Sequence, residues 1–372
     1  MNYTDIINGL IALLFAGLIS FTTTPLVRYL AYKWGAVDVP KDNRRMHKTP
    51  IPRMGGLAIY IASAAAFLIF GNISKTILGI IIGGLVIVIS GILDDIYTLP
   101  PWIKLIAQII AAIIAIWSGV LIEWINFFGT YIHFGIWAYP ITFVWIIGLT
   151  NAVNLIDGLD GLACGVSAIS SLALLLVTIM YADPISATLT AIIAGSCLGF
   201  LPFNSNPAKI FMGDTGALFL GFALAVISVQ GVFKLHAVVS FIIPFLIFGI
   251  PIFDIVFSGI RRILKGQAPW KADRGHLHHR LIDMGLNQKQ SVRILYAVSG
   301  ILGISAVLFT KEKILHASII IVLALVIGIF NIKIFKKDNN YDKGTIVPFN
   351  DGEIATGSID AQFDNVQGHG DV

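Results

Sequence analysis

Long runs of uncharged apolar residues recur along most of this chain, and they restrict the folds it can adopt. The stretch ILGIIIGGLVIVISGIL, residues 77–93, contains no charged side chain. A transmembrane helix needs about 20 mostly apolar residues. Charged residues make up only 12% of the chain, about half of the roughly 25% found in soluble domains. The sequence therefore predicts an all-α polytopic membrane protein and excludes an ordinary soluble fold.

Eleven segments are apolar enough to cross a membrane, although the fifth is short. The N-terminal segment lacks the basic region that begins a cleaved signal peptide, so we expect it to be retained as the first span. The predicted spans are residues 6–30, 53–71, 76–93, 102–121, 136–152, 160–181, 185–203, 212–231, 236–259, 291–309 and 314–335.

The distribution of positive charge predicts the orientation, because Lys and Arg are enriched in cytoplasmic loops. With the N-terminus outside, eleven spans leave the C-terminus in the cytoplasm, and 21 of the 25 Lys and Arg residues lie on the inner side. Residues 1–335 are predicted to form one integral membrane catalytic domain. Residues 336–372 are polar, acidic and rich in Gly, so we expect a disordered cytoplasmic tail.

Two smaller features have simple structural interpretations. The external stretch 122–136 alternates weakly about a Phe-Gly-Thr turn, which predicts a short β-hairpin. The cysteines Cys164 and Cys197 both lie in apolar runs. They are expected to be reduced core residues and not a disulfide or a metal pair.

In this orientation, polar side chains from several spans meet at the inner face. A charged residue within a span costs at least ~2.5–3.5 kcal/mol on insertion scales, so such residues tend to be functional. For Asp160 and Asp254, local capping or pairing is as good an explanation as a direct role. The group comprises Asp94, Asp95, Asn151, Asn154, Asp157, Asp160, Asn204, Asn206, Asp214 and Asp254.

These residue types suit phosphoryl chemistry. Carboxylate and amide oxygens are preferred ligands of Mg²⁺ and Mn²⁺, and Asn154 and Asp157 would share a helix face if the helix continued through both. The adjacent Asp94 and Asp95 repel each other when both are charged, which favours proton uptake by one of them as a general base. An alternative is that one Asp acts and the other only holds its neighbour in place.

A basic, His-rich loop, KADRGHLHHRL at residues 271–281, follows the ninth predicted span. Arg, Lys and His side chains bind phosphate oxygens, so a magnesium site beside this loop indicates phosphoryl transfer to or from a lipid. A zinc site on His276 and His279 is the alternative, but no cysteine or glutamate nearby supports it.

Six stretches of this chain resemble, in sequence and in order, motifs of the polyprenyl-phosphate N-acetylhexosamine-1-phosphate transferases. The resemblance covers residues 1–335 and is greatest to the bacterial UDP-GlcNAc:undecaprenyl-phosphate GlcNAc-1-phosphate transferases, which begin teichoic acid, enterobacterial common antigen or O-antigen synthesis. The matching stretches are RRMHKTPIPRMGGLA (44–58), GILDDIYTLPPWIKLIAQ (91–108), NAVNLIDGLDGLA (151–163), FMGDTGALFLG (211–221), PIFD (251–254) and DRGHLHHRL (273–281).

The resemblance implies an enzyme of the bacterial plasma membrane with eleven spans, an external N-terminus and an active site at the cytoplasmic face. It implies Mg²⁺ or Mn²⁺ as cofactor, UDP-GlcNAc as donor and undecaprenyl phosphate as acceptor. The products would be GlcNAc-diphosphoryl-undecaprenol and UMP. A homodimer is compatible with the family, and no nucleic acid is expected as a partner.

The resemblance also implies roles for individual residues. Asp214 and Asn154 would bind the metal ion. Asp94 and Asp95 would activate the lipid phosphate, and Asp157 would line the catalytic cleft. The residues expected to bind substrate, through phosphate, sugar or nucleotide, are Lys104, Asn204, Arg274, His276, His278, His279, Arg280 and Lys48.

Three other functions fit parts of the pattern. Transferases that use UDP-MurNAc-pentapeptide share the acidic motifs, but they typically carry an HHHFE-like stretch where this chain has HLHHRL after ADRG. An ion-coupled transporter would explain intramembrane acids, but its acids would be spread across the membrane depth. A CDP-alcohol phosphotransferase would need an Ala-Arg pair after its DG signature, and here Gly161 leads into LACG.

Overall fold

The computed structural model describes residues 1–40, 49–127, 130–233, 242–264, 266 and 276–310, and most of these residues are helical. The helices are α1 Tyr3–Trp34, α2 Gly56–Phe70, α3 Lys75–Tyr97, α4 Pro101–Trp117, α5 Ala138–Leu155, α6 Leu162–Met180, α7 Pro184–Asn204, α8 Gly213–Ser228, α9 Ile242–Ile247, α10 Gly249–Leu264, α11 Leu277–Asp283 and α12 Gln288–Thr310. A 3₁₀ turn, Gly135–Trp137, precedes α5, and a π-helical turn, Val229–Phe233, extends α8.

These helices confirm the polytopic membrane class. Within the described ranges, seven helical segments are long and apolar enough to cross a membrane, and α2 and α4 are shorter apolar helices. The first eight predicted spans and the tenth each coincide with a helix. The eleventh, 314–335, lies outside the described residues, as does the tail, so the number of spans and their orientation stay predictions.

The ninth predicted span, 236–259, is helical but interrupted in its described part. The chain forms α9 and α10, which are separated at Phe248. Pro251 has no N–H to donate to the carbonyl of Ile247, so the helical hydrogen bonding is interrupted there. The hydroxyl of Ser170 donates to that carbonyl at 2.9 Å instead.

Two short antiparallel strand pairs lie in the loops. In the first, β1 Val37–Asp38 pairs with β2 Ile51–Pro52. In the second, β3 Trp124–Phe127 pairs with β4 Thr130–His133, and Trp124 lies opposite His133. The second pair confirms the hairpin that the sequence predicts in the external loop.

The helix α8 occupies the centre of the described bundle, where every residue from Thr215 to Ser228 is buried. Glycines let its neighbours approach its backbone closely, as small residues do between membrane helices. A Cβ atom on Gly91 of α3 would collide with Thr215, and one on Gly56 of α2 would collide with Gly216. The C-terminal end of α3 and the N-terminal end of α8 are therefore in direct contact, which brings their acidic residues together. Cys164 and Cys197 are buried free thiols, as predicted.

Candidate active site

The carboxylate of Asp95 caps the N-terminus of α8 from the neighbouring helix. It accepts hydrogen bonds from the backbone N–H of Asp214 at 3.2 Å and from the N–H and hydroxyl of Thr215 at 3.3 and 2.6 Å. The first N–H groups of a helix have no partner within the helix, and negative charge there is favourable. Gly213, with φ of 70°, brings the chain so close that a Cβ would collide with this carboxylate. Both oxygens of Asp95 therefore hold α8 in place.

Asp94 faces a different neighbour, because successive residues of an α-helix point about 100° apart. One of its oxygens accepts the N–H of Leu99 at 2.8 Å, and the other lies 3.4 Å from the Nζ of Lys104. The same Nζ lies 2.8 Å from Oδ2 of Asp214. Lys104 therefore bridges Asp94 and Asp214. The adjacent acids are not equivalent, which favours the interpretation that one holds geometry and the other faces the cleft.

Asp157 lies in the loop of residues 156–161, which joins α5 to α6 and is called the acidic loop below. Although part of its surface is exposed, burial raises the pKa of Asp157 to about 8, and the negative charges of Asp214 and Asp95 act in the same direction. The positive charge of Arg53 opposes them. Asp157 thus belongs to the same electrostatic cluster as the acids of α3 and α8.

The condition under which Asn154 and Asp157 would share a helix face is not met, because α5 ends at Leu155. The Asp157 N–H donates to the carbonyl of Asn154 at 3.2 Å in a turn instead. The two residues remain neighbours through this turn, with Asn154 in the last turn of the helix.

The helix α11 brings the His-rich segment onto this loop. His276 precedes it and is hydrogen-bonded to Asp254 of α10, with 2.8 Å between Nδ1 and Oδ2. The ring of His278 covers Gly158, where any Cβ would collide with it. Burial lowers the pKa of His278 to about 4, helped by the neighbouring His279, so His278 is neutral at pH 7. The His segment and the acidic loop thus form adjoining walls of one cleft.

The remaining candidate residues are placed as follows. His279 packs against His278, with ring centroids 4.3 Å apart, and the guanidinium of Arg280 lies 5.2 Å from the ring centroid of Phe257. The buried amide of Asn204 donates to the carbonyl of Ile210 at 3.1 Å, a structural contact that does not itself indicate nucleotide binding. Lys48 and Arg274 lie outside the described residues.

Several polar residues that the sequence placed at the inner face make structural contacts. Asp160 accepts the side-chain amide of Asn206 at 2.9 Å and the N–H of Ala208 at 3.1 Å. These bonds confirm the local-pairing explanation for this acid. Asn151 forms an amide pair with Gln108 of α4, with N···O distances of 2.6 and 3.4 Å.

Three contacts at the site were not predicted from the sequence. Arg53 pairs with Asp38 at 2.7 Å in the β1–β2 region. The hydroxyl of Tyr296 on α12 donates to the carbonyl of Gly161 at 2.6 Å and so clamps the acidic loop. The third is the pairing of Asp254 with His276 described above. Each joins residues distant along the chain. Arg53, Gly161, Asp254 and His276 lie in stretches that carry the family resemblance, whereas Asp38 and Tyr296 lie outside them, so no motif pointed to these two.

The donor groups at the site fit a magnesium ion better than zinc. Within the described ranges, no three His, Cys, Asp or Glu side chains converge on one point as a preformed metal cage. Mg²⁺ commonly uses one or two carboxylates and takes its other ligands from water and substrate phosphates. Asp214 and the amide of Asn154 offer such oxygens, and acids outnumber the bridging Lys104.

An apolar groove runs along the helix that carries Asn154 at its end. It has a volume of 660 Å³ and runs along α5 from the β3–β4 hairpin to Ala152, two residues before Asn154. Its other wall comes from α9 and α10. Residues along it include Ile125, Trp137, Val144, Leu149, Phe245 and Ile252. The site can therefore serve a molecule with a charged end and a long apolar chain.

Comparison with known proteins shows one family. The sequence profile of glycosyl transferase family 4 matches residues 77–232. The chain is 41% identical over 307 residues to the "probable undecaprenyl-phosphate N-acetylglucosaminyl 1-phosphate transferase" of Bacillus subtilis, covering 82% of this chain and 85% of the relative. It is 34% identical to the undecaprenyl-phosphate alpha-N-acetylglucosaminyl 1-phosphate transferase of Thermotoga maritima, over 70% of this chain and 78% of the relative. A phospho-N-acetylmuramoyl-pentapeptide-transferase of Limosilactobacillus reuteri is 33% identical, over 61% of this chain and 75% of the relative.

Proposed function

This chain belongs to glycosyl transferase family 4, and on that premise we propose that it transfers GlcNAc-1-phosphate from UDP-GlcNAc to undecaprenyl phosphate. The products are GlcNAc-diphosphoryl-undecaprenol and UMP. The reaction takes place at the cytoplasmic face of the bacterial plasma membrane, as the first step of teichoic acid or other surface polysaccharide synthesis.

One observation carries this proposal beyond the relatives' names. The apolar groove along α5 extends to Ala152, two residues before Asn154 at the end of the same helix. A polyprenyl chain is apolar along its length and carries its phosphate at one end. A lipid phosphate can therefore place its chain in the groove and its charged end near the polar residues that end α5, which a water-soluble acceptor would not require.

In the proposed reaction, an oxygen of the lipid phosphate attacks the β-phosphorus of UDP-GlcNAc. The bond from that phosphorus to the bridging oxygen breaks, and UMP leaves. Asp94 is the better placed of the adjacent acids to take a proton from the lipid phosphate, because the oxygens of Asp95 are occupied by the N-terminus of α8. Lys104 lies where it can offset phosphate charge.

A two-step route with an Asp nucleophile would use the same residues. An Asp oxygen would attack the β-phosphorus of UDP-GlcNAc and release UMP, and the Asp would carry GlcNAc-1-phosphate until the lipid phosphate displaced it. Incubating the enzyme with UDP-GlcNAc labelled in the β-phosphate, without lipid, separates the routes. A trapped phospho-Asp would refute direct attack.

We also propose that Asp214 and Asn154 hold Mg²⁺, or Mn²⁺ in its place. The bound ion would neutralise charge on the donor's diphosphate. Asp214→Asn keeps the size of the side chain but removes its charge, so Mg²⁺-dependent UMP release should fall by at least about 100-fold, as for loss of a group that stabilises transition-state charge. Full Mg²⁺-dependent turnover in this variant would refute the assignment.

The direct test of the function uses membranes that contain the protein, labelled UDP-GlcNAc and undecaprenyl phosphate. We expect release of UMP together with a labelled lipid, both dependent on the added lipid phosphate and on Mg²⁺. Asp214→Asn membranes are the matched control for other enzymes. Absence of UMP release would contradict the proposal and favour a transporter.

The donor can be tested in the same assay by competition. UDP-MurNAc-pentapeptide should neither replace UDP-GlcNAc nor compete strongly with it. The support is the covered length, since the pentapeptide-transferase relative matches 61% of this chain and the Bacillus subtilis relative matches 82%. Turnover of the pentapeptide donor at a similar rate would overturn the donor assignment.

A further inference from the structure

Asp254 is a deeply buried acid that the proposed chemistry does not use. It is 1% exposed and lies on α10, in the half of the broken helix that leads to the His-rich segment. Its Oδ1 accepts the backbone N–H of Leu277 at 2.7 Å, and its Oδ2 lies 2.8 Å from Nδ1 of His276. A buried carboxylate with two short contacts to one segment fixes that segment tightly.

The contact also determines which nitrogen of His276 carries the proton. An ionised carboxylate only accepts hydrogen bonds, so its partner Nδ1 must be the N–H. The hydroxyl of Ser258, 3.4 Å from the same nitrogen, adds a weaker contact on the same side. The nitrogen left for other partners is therefore Nε2.

The fixed ring stands at the wall of the cleft. The rings of His276 and His278 are nearly parallel, with an interplanar angle of 7° and centroids 6.0 Å apart. His278 in turn covers Gly158, the residue after Asp157. Asp254 thus sets the position of His276 relative to the acidic loop, although it does not reach the loop itself.

Building on the proposed function, we propose that Asp254 is a positioning residue for donor binding. It holds His276 as the Nδ1–H tautomer and presents Nε2 to the UDP-sugar. Because the acid acts through the imidazole, its loss should affect the donor and leave the handling of the lipid acceptor largely unchanged.

The first test is Asp254→Asn, compared with Asp183→Asn as a matched control. Asp183 also accepts a backbone N–H at the start of a helix, that of Ser186. It lies at the N-terminal end of α7, whereas Asn204 is the last residue of that helix. In Asp254→Asn the amide oxygen can keep the bond to Leu277, and the NH₂ group then faces Nδ1 of His276. Loss of a charge-assisted hydrogen bond should raise KM for UDP-GlcNAc about 10- to 100-fold, with KM for undecaprenyl phosphate unchanged. Asp183→Asn should leave both constants near wild type.

A double-mutant cycle separates positioning from a general structural role. If Asp254 acts through His276, then Asp254→Asn should cost nothing further in an enzyme that already carries His276→Asn. Additive losses, or equal increases in both KM values, would overturn the proposal.

A second readout does not depend on turnover. Nitrogen-15 NMR of histidine-labelled wild-type protein, assigned with His276→Asn, should show Nδ1 protonated and Nε2 bare, and Asp254→Asn should reverse this. An Nε2–H tautomer in the wild type would overturn the proposal even if every variant were unstable. If the wild type shows the expected tautomer but releases no UMP from UDP-GlcNAc, then the proposed function fails while the hold of Asp254 on His276 stands.

Discussion

Asp94 and Asp95 are adjacent in sequence, and the structure predicts that replacing them affects different properties of the protein. Asp95→Asn should mainly destabilise the protein, and Asp94→Asn should mainly abolish turnover. The reason is that Asp95 binds the N-terminus of α8, whereas Asp94 faces Lys104 at the cleft. Both substitutions keep the size of the side chain, so each variant serves as the control for the other.

The difference in stability can be estimated from the hydrogen bonds. Asp95 accepts three of them from α8, and an Asn at this position has only one acceptor oxygen. At least one buried N–H of α8 is then left without a partner, and a charge-assisted bond is lost. Together these cost on the order of 2–4 kcal/mol.

For Asp94, an Asn oxygen can keep the 2.8 Å bond from Leu99, and only the 3.4 Å contact with Lys104 is lost. A partly exposed ion pair of this kind is worth about 1 kcal/mol or less. The free energy of unfolding should therefore differ between the two variants by roughly 2 kcal/mol.

The assay is thermal unfolding of both purified variants in detergent, paired with UMP release measured well below Tm. A difference of 1 kcal/mol corresponds to roughly 2–4 °C in proteins of 150–250 residues and to less in longer ones. We expect Asp95→Asn to melt roughly 4 °C below Asp94→Asn, with more residual activity at low temperature. If both variants melt together, or if Asp95→Asn is the stable and inactive one, the assignment of the two acids is refuted.

Three further predictions concern the loop of residues 156–161 and its contacts. Gly158→Ala should displace His278 and raise KM for UDP-GlcNAc at least about tenfold, measured as UMP release; an unchanged KM would contradict the contact. Tyr296→Phe removes the 2.6 Å bond to the carbonyl of Gly161, so the free energy of unfolding should fall by about 1 kcal/mol, seen as a lower Tm; a Tm equal to wild type would show that this clamp is not needed. The pKa of His278, about 4 in the folded protein against about 6.5 when unfolded, means that the unfolded chain takes up a proton first as pH falls. Stability should therefore be lost between about pH 6.5 and 4, and Tm should fall less steeply in His278→Gln; equal slopes would argue against this burial.

The helical bundle was largely predictable from the sequence because span length follows from apolar run length. Uncharged runs such as residues 77–93 have few alternatives to a membrane helix. The interruption in the ninth predicted span was not predicted because hydropathy alone does not register hydrogen bonding. Pro251 is visible in the sequence, but whether a proline kinks a helix or divides it depends on what satisfies the freed carbonyl. Here Ser170, from another helix, supplies that partner.

That the polar residues gather in one place could be predicted from the sequence, but their individual contacts could not. Acids at the inner ends of several helices must lie near one face, so their gathering follows from topology. Their individual partners depend on helix rotation and on loops, which the sequence does not specify. The capping of α8 by Asp95, and the pairing of His276 with Asp254 across 22 positions, therefore required the structure.

The arrangement as a whole explains why one enzyme site can serve two substrates of opposite solubility. The bridge from Lys104 to Asp94 and Asp214 lies where α3, α4 and α8 meet. The apolar groove runs along α5 to Ala152, two residues before Asn154. The acidic loop after α5 adjoins the His segment, through the contact of Gly158 with His278. A lipid phosphate would thus reach the cluster from the membrane side, and a nucleotide sugar would reach it from the side of the His segment. Reaction requires both to meet at the cluster, so a variant that blocks the groove should impair only the lipid, whereas one that displaces His276 should impair only the donor.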